Sequence, residues 1–138
     1  MDRRKIMEQI KIIEDDLKKL KEKSDLSLEQ YLQDEDSQDV VERRFQTSIE
    51  SCINIGNHLI SQLDLKMPED YASVFYRLTS AKVIDRRLAD EMADLARFRN
   101  ALVHLYWRID HKDVYRKMKK RISIIKRFLK EIYSFAKL

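Results

Sequence analysis

Glycine and proline are almost absent from this chain of 138 residues, which contains one of each, Gly56 and Pro68. Turns between β-strands rely heavily on these two residue types, which together make up about 12% of an average protein. Charged residues account for 38% of the chain and hydrophobic residues for 43%, a composition typical of amphipathic helices. The sequence therefore predicts an all-α fold, and its length fits one domain over residues 1–138.

Apolar residues recur at steps of three and four along most of the chain, as they do on the buried face of a helix. We expect Ser27 and Gln30 to form a capping box ahead of a short second helix, and Asp110 to cap the last helix. Gly56 lies inside the third helix, where the absence of a side chain lets another helix approach closely. The predicted fold is an up-and-down bundle of five to six helices, the longest over about residues 3–21, 37–63 and 111–136.

Several classes of protein are disfavoured by the same sequence. Cys52, the one cysteine, lies on an apolar helical stripe and is predicted to be a small buried hydrophobe in a reducing compartment. Neither a signal peptide nor an apolar run of about 20 residues, the length that spans a membrane, is recognisable. The acidic run 34–39 is expected to complement the dipole of the next helix rather than to bind a metal. We therefore expect a cytoplasmic protein with no membrane partner, no metal site and no cofactor.

A charged residue, Arg99, interrupts the apolar stripe of the fifth helix, which is formed by Leu88, Met92, Leu95, Leu102 and Tyr106. Arginine is almost never buried without a partner, so its guanidinium requires an anion, an interface or a cleft. His104 follows five residues later, which places the two side chains about 140° apart on a straight helix. Two arrangements can bring them together. Either the helix ends near Val103 and His104 turns back, or a two-fold axis joins the motifs of two subunits.

Arginine and histidine at this spacing suit the cleavage of RNA without a metal ion. The planar fork of Arg99 binds phosphate oxygens, and His104 can take a proton from the ribose 2′-hydroxyl near neutral pH. Asn100 is placed to orient either the phosphate or the histidine. A second acid would protonate the leaving 5′-oxygen.

A basic stripe on the last predicted helix favours an RNA partner. Its members lie opposite the apolar face of that helix and are Arg116, Lys119, Lys120, Arg127 and Lys130. A polyanion would relieve the repulsion among these charges and release counterions, although a solvated helix surface explains the stripe equally well. Trp107 and Tyr115 fit either stacking on bases or packing in the bundle. His58 is expected to be an ordinary surface histidine rather than part of a site.

The segment from Arg99 to Tyr106, RNALVHLY, resembles the Arg-x4–6-His signature of HEPN domains, and most of all the HepT-like family of bacterial and archaeal toxins. It matches that family's form of the signature, Arg-polar-x3-His-x-Tyr, at every position. Residues 41–46 and 53–60 are similar to the family's long third helix, and residues 71–75 fall in the expected order. The resemblance covers essentially the whole chain.

This resemblance implies an all-α dimer with a metal-independent ribonuclease cleft at its two-fold axis. Arg99 and His104 would carry catalysis with Asn100 in support. The implied partners are an RNA substrate and a minimal nucleotidyltransferase that acts as antitoxin, in some members by adding AMP to the motif tyrosine, here Tyr106. An alternative is a non-catalytic nucleotide-binding helical dimer that serves as binding subunit or substrate of a nucleotidyltransferase. A purely structural bundle is a third possibility.

Overall fold

The computed structural model describes residues 2–138, and this part of the chain forms six α-helices, a short 3-10 turn and no strand. The all-α prediction is therefore confirmed. The elements are α1 (Arg3–Ser24), α2 (Leu28–Gln33), α3 (Glu35–Gln62), α4 (Tyr71–Ser80), α5 (Arg86–His104), the 3-10 turn (Tyr106–Arg108) and α6 (His111–Ala136).

Polar side chains cap the start of the helices, among them the two caps that the sequence predicts, Ser27 at α2 and Asp110 at α6. Ser27 and Gln30 form a capping box at α2, because each side chain accepts a hydrogen bond from the other residue's backbone N–H. Asp85 caps α5 and Asp110 caps α6. Asp34, within the acidic run, caps α3, which begins two residues earlier than predicted. The acidic run therefore supplies the cap and first turn of this helix, where negative charge is favourable.

The long helices pack on one another in one bundle. α1 makes its most extensive contact with α3 and also packs on α6, while α5 packs on α4 and contacts α3 and α6. The apolar residues that recur at steps of three and four on α1 and on α6 are buried, as their spacing predicts. Cys52 is also fully buried, and burial raises the pKa of its thiol well above the ordinary range. The prediction of a small buried hydrophobe is confirmed.

Gly56 lies where α3 and α4 come closest. A Cβ atom at this position would lie well inside 3.0 Å of Val74 Cγ1, a separation that real Cβ atoms do not show. The close helix approach predicted from this glycine is confirmed, and the approaching helix is α4.

An ion pair between a buried carboxylate and a partly exposed arginine, which the sequence did not predict, ties α1 to α3. Asp16 is 2% exposed and accepts a hydrogen bond of 2.9 Å from Arg44 Nη1 and another from the Thr47 hydroxyl. These contacts satisfy a carboxylate that would otherwise be unpaired in the core. Among the described helices, none contains the long apolar stretch needed to cross a bilayer.

Candidate functional site

Arg99 has an anionic partner on a different helix. Its Nε and Nη2 both donate to Oε1 of Glu50 on α3, at 2.9 and 2.7 Å, and its Nη1 donates to Oδ1 of Asn100 at 3.1 Å. The guanidinium also lies over the ring of Tyr71, 5.1 Å from its centroid. The Arg99 side chain is 14% exposed, so the charge on the apolar stripe is accommodated by an ion pair at the edge of the core.

Glu50 was not among the residues that the sequence singled out. The signal that would have found it is a polar stripe on α3, formed by Gln46, Glu50, Asn54 and Asn57 at steps of three and four. Gln46 donates to the same Oε1 of Glu50 at 3.3 Å. A continuous line of side-chain hydrogen bonds therefore runs from α3 to Arg99 and Asn100 on α5.

An open cleft adjoins this ion pair. It has a volume of about 320 Å³ and is lined by Glu50, Ile53, Asn54, Asn57, Tyr71 and Arg99. Amide, carboxylate, guanidinium and phenol groups surround it, which gives the cleft both donors and acceptors of hydrogen bonds. Its size and polarity suit part of a nucleotide.

His104 is the last residue of α5 and is exposed to solvent. The helix continues to His104, so Arg99 and His104 keep an offset of about 140° around the helix axis and about 7.5 Å along it. Of the two arrangements considered for this pair, the first is observed only in part: α5 ends one residue after Val103, but His104 is still helical and does not turn back towards Arg99. No hydrogen bond to the His104 ring is formed within residues 2–138. One copy of the chain does not bring Arg99 and His104 together.

Tyr106 was predicted to continue the buried stripe of the fifth helix, and this prediction is wrong. Leu88, Met92, Leu95 and Leu102 are buried, whereas Tyr106 is 66% exposed. The reason is that α5 ends at His104 and the chain turns into a 3-10 segment, which breaks the helical period. Trp107 beside it is 67% exposed, and the two rings meet edge to face with centroids 5.3 Å apart.

The predicted basic stripe divides into free and engaged residues. Arg116, Lys119, Lys120 and Lys130 are exposed on α6. Arg127 instead donates to Oε2 of Glu91 on α5 at 2.8 Å, and this hydrogen bond raises the pKa of Arg127 above its usual value.

Tyr115 and His58, which the sequence also singled out, each contact another part of the bundle. Tyr115 packs against Tyr31, with ring centroids 5.6 Å apart, and its hydroxyl donates to the carbonyl of Leu26, so it belongs to the bundle rather than to an open stacking surface. The Nε2 of His58 lies 3.2 Å from the Asp2 carbonyl oxygen, near the start of α1. Across residues 2–138, no three side chains of histidine, cysteine, aspartate or glutamate are grouped closely enough to hold a metal ion.

Comparison with known proteins identifies a family for this chain. The family model for the ribonuclease HepT-like proteins matches residues 13–132. The chain is 27% identical to the tRNA nuclease HepT of Aphanizomenon flos-aquae, over 84% of this chain and 79% of that protein. It is 34% identical to the mRNA nuclease HepT of Shewanella oneidensis, over 56% of this chain and 58% of that protein.

The fold is also similar to a solved structure. A tri-AMPylated Shewanella oneidensis HEPN toxin in complex with its MNT antitoxin matches with a TM-score of 0.86 and 27% sequence identity, over 94% of this chain and 97% of that chain. The structural match and the family match both agree with the resemblance carried by the motif around Arg99 and His104. The chain belongs to the HepT-like ribonuclease family.

Proposed function

We propose that this protein is the ribonuclease toxin of a toxin-antitoxin module and cleaves RNA in the cytoplasm without a metal ion. The observation that carries the proposal is the position of Arg99, whose guanidinium is fixed by Glu50 and Asn100 at the wall of an open polar cleft. Relatives named as tRNA and mRNA nucleases support RNA as the substrate class.

The catalytic cleft forms at the two-fold axis of a homodimer. Because α5 is helical through His104, Arg99 cannot share a face with the histidine of its own chain. A two-fold axis places Arg99 of one copy beside His104 of the other and supplies two histidines to the same cleft. The two histidines can then divide the acid–base work, one acting as base and the other as acid.

The reaction proceeds by attack of the ribose itself. One His104 takes the proton of the 2′-hydroxyl, and the 2′-oxygen attacks the phosphorus while Arg99 binds the negative charge that develops on the phosphate oxygens. The second His104 gives a proton to the leaving 5′-oxygen. The products are a 2′,3′-cyclic phosphate and a free 5′-hydroxyl. Asn100 supports the reaction by holding Nη1 of Arg99.

The exposed basic residues of α6 bind the RNA backbone outside the cleft. Arg116, Lys119, Lys120 and Lys130 point to solvent and contribute through counterion release, which makes binding sensitive to salt. Arg127 contributes less than the sequence suggests, because an RNA phosphate would have to displace Glu91 from it.

The partner is a minimal nucleotidyltransferase antitoxin that adds AMP to Tyr106. The related Shewanella oneidensis toxin is tri-AMPylated and in complex with an MNT antitoxin, which supports this assignment. Tyr106 is exposed and two residues from His104, so its phenol oxygen is open to attack the α-phosphorus of ATP and release pyrophosphate. The negative charge of the added AMP would then repel RNA from the cleft.

Cleavage of RNA in the presence of EDTA tests the nuclease assignment. We expect the wild type to cut RNA in EDTA and His104→Ala to lose this activity. His58→Ala is the matched control, because it removes a histidine that lies near the start of α1 and should cut normally. A wild type that binds nucleotide but leaves RNA intact would instead favour the non-catalytic binding subunit of a nucleotidyltransferase.

Intact-mass measurement after co-expression with the cognate nucleotidyltransferase tests the modification. We expect the wild type to gain one or more AMP units and Tyr106→Phe to gain none while it stays toxic. The matched control is Tyr115→Phe, whose hydroxyl is committed to a backbone carbonyl in the bundle and should not affect the modification. AMP on another tyrosine, or an unmodified wild type, would contradict the role of Tyr106 without affecting the nuclease assignment.

A further inference from the structure

We propose that Glu50 is a positioning residue that fixes the direction in which Arg99 presents its guanidinium to the RNA phosphate. This inference rests on the proposed nuclease function. Glu50 comes from α3, outside the motif that runs from Arg99 to Tyr106, and it contacts the motif through hydrogen bonds to Arg99 alone.

Three donors converge on one oxygen of Glu50. Oε1 accepts from Nε and Nη2 of Arg99 and from Nε2 of Gln46, one helical turn earlier on α3. The bond from Gln46 holds the carboxylate against its own helix, and the two bonds from Arg99 fix the plane of the guanidinium. Such a fixed plane is the kind of preorganisation that lowers a barrier without a reorganisation cost during the reaction.

The count of donors shows what remains for a substrate. A guanidinium has five N–H groups. Within the described residues, two of those of Arg99 are directed at Glu50 and one at Asn100. One hydrogen therefore stays free on Nη1 and one on Nη2. Each terminal nitrogen therefore keeps one donor for an oxygen of a phosphodiester.

The negative charge of Glu50 weakens the binding of RNA, although its hydrogen bonds orient Arg99. A carboxylate within hydrogen-bond distance of Arg99 weakens the attraction of that arginine for a phosphate. A residue selected to strengthen RNA binding would not be negative at this position. Fixing the orientation of Arg99 is therefore the contribution that Glu50 makes, and it should be visible in kcat rather than in KM.

A second arginine–glutamate pair in the same molecule provides a matched control. Glu91 on α5 accepts from Arg127 on α6 at 2.8 Å, and its side chain is 20% exposed compared with 32% for Glu50. Both pairs join two helices, but only the Glu50 pair contains a motif residue. Removal of either glutamate should lower the melting temperature to a similar extent.

The experiment compares Glu50→Ala, Glu50→Gln and Glu91→Ala for cleavage of an RNA oligonucleotide in EDTA. We expect Glu50→Ala to lower kcat about 10- to 100-fold, the scale of effect that a misplaced catalytic group produces. Glu50→Gln should keep kcat within about threefold, because its amide oxygen still accepts from Arg99, and should lower KM because the opposing charge is gone. Glu91→Ala should keep the wild-type kcat, and the release of Arg127 for contact with RNA should affect KM alone.

Three results would overturn the proposal for Glu50. None of them would affect the nuclease assignment, which is tested separately by the loss of activity in His104→Ala. One is a Glu50→Ala protein with wild-type kcat. Another is a Glu50→Gln protein as impaired as Glu50→Ala, which would mean that the negative charge itself acts in the reaction. The third is an equal loss of kcat in Glu91→Ala, which would mean a general effect of loosened helices. A wild type that does not cut RNA would overturn both the proposal and the function on which it rests.

Discussion

The contact between α3 and α4 at Gly56 allows a quantitative test of the packing. Replacing a glycine inside a helix by alanine ordinarily stabilises the helix by about 1 kcal/mol. Here the added Cβ would overlap Val74 Cγ1, and Val74 is 1% exposed with a β-branched side chain that has little rotamer freedom. Overpacking of this kind costs about 1–3 kcal/mol. Because Val74 cannot move aside, we expect Gly56→Ala to lower the free energy of unfolding by about 1 kcal/mol.

A double-mutant cycle separates the clash from the helix propensity. The Cβ of Val74 lies 3.9 Å from the position that a Cβ on residue 56 would occupy, which is ordinary van der Waals contact. In a Val74→Ala background the added methyl group therefore has room, and Gly56→Ala should stabilise the protein by about 1 kcal/mol. The effect of Gly56→Ala on the free energy of unfolding therefore changes sign between the two backgrounds, and the coupling free energy between residues 56 and 74 is about 2 kcal/mol.

Urea denaturation followed by far-UV circular dichroism, with all four proteins at one concentration, measures this coupling. The expected order places Gly56→Ala below the wild type, and the double variant above Val74→Ala. If Gly56→Ala stabilises the protein equally in both backgrounds, α3 and α4 do not approach as closely at residue 56 as the packing argument requires.

Further predictions concern stability, each measured by denaturation. Arg99→Ala should lower the free energy of unfolding by about 1–2 kcal/mol, because it leaves Glu50 without its cationic partner. His104→Ala should change it by less than about 0.5 kcal/mol, because that side chain is exposed. Equal effects of the two substitutions would mean that the ion pair between Arg99 and Glu50 does not stabilise the fold. Asp16→Ala should cost about 1–2 kcal/mol, because it removes hydrogen bonds to a buried carboxylate while Arg44 can still reach solvent; a loss below about 0.5 kcal/mol would mean that this pair contributes little. Burial lowers the pKa of His111 in the folded protein, so the unfolded chain binds more protons and the free energy of unfolding should fall as the pH drops below about 6.5. His111→Gln should remove this part of the pH dependence. If the free energy of unfolding of the variant changes with pH as steeply as that of the wild type, His111 is not the cause.

The helices and their starting residues could be predicted from sequence because they depend on local chemistry. A capping residue acts on backbone N–H groups two or three positions away, as Ser27 and Asp85 do. The spacing of apolar residues that predicts the buried faces of α1 and α6 can likewise be recognised within each helix alone. Gly56 was informative because an interior glycine in a helix requires a compensating contact, although the sequence did not identify α4 as the partner.

The partners of the charged residues could not be predicted, because they come from distant parts of the chain. Glu50 precedes Arg99 by 49 residues, and Arg127 follows Glu91 by 36. No local pattern specifies either pair, since each depends on how two helices are rotated against each other. Tyr106 was wrongly counted with the apolar stripe of the fifth helix for a different reason. The end of α5 after His104 is marked by no glycine or proline, so the helical period was extended two residues too far.

The arrangement of the site across two chains is the central claim, and cleavage by mixed dimers tests it most directly. Heterodimers of Arg99→Ala and His104→Ala chains, isolated through two different affinity tags, keep one arginine and one histidine on different chains. Heterodimers of a wild-type chain and a chain with both substitutions keep the same two residues on one chain. Each heterodimer keeps one histidine, which can still act as the base, so both lack the histidine that acts as the acid. We expect the first heterodimer to cut RNA in EDTA more slowly than the wild type but above either variant homodimer, because its Arg99 and His104 still meet across the interface. The second should remain inactive. Activity in the second heterodimer and none in the first would contradict a cleft shared by Arg99 and His104 of opposite chains.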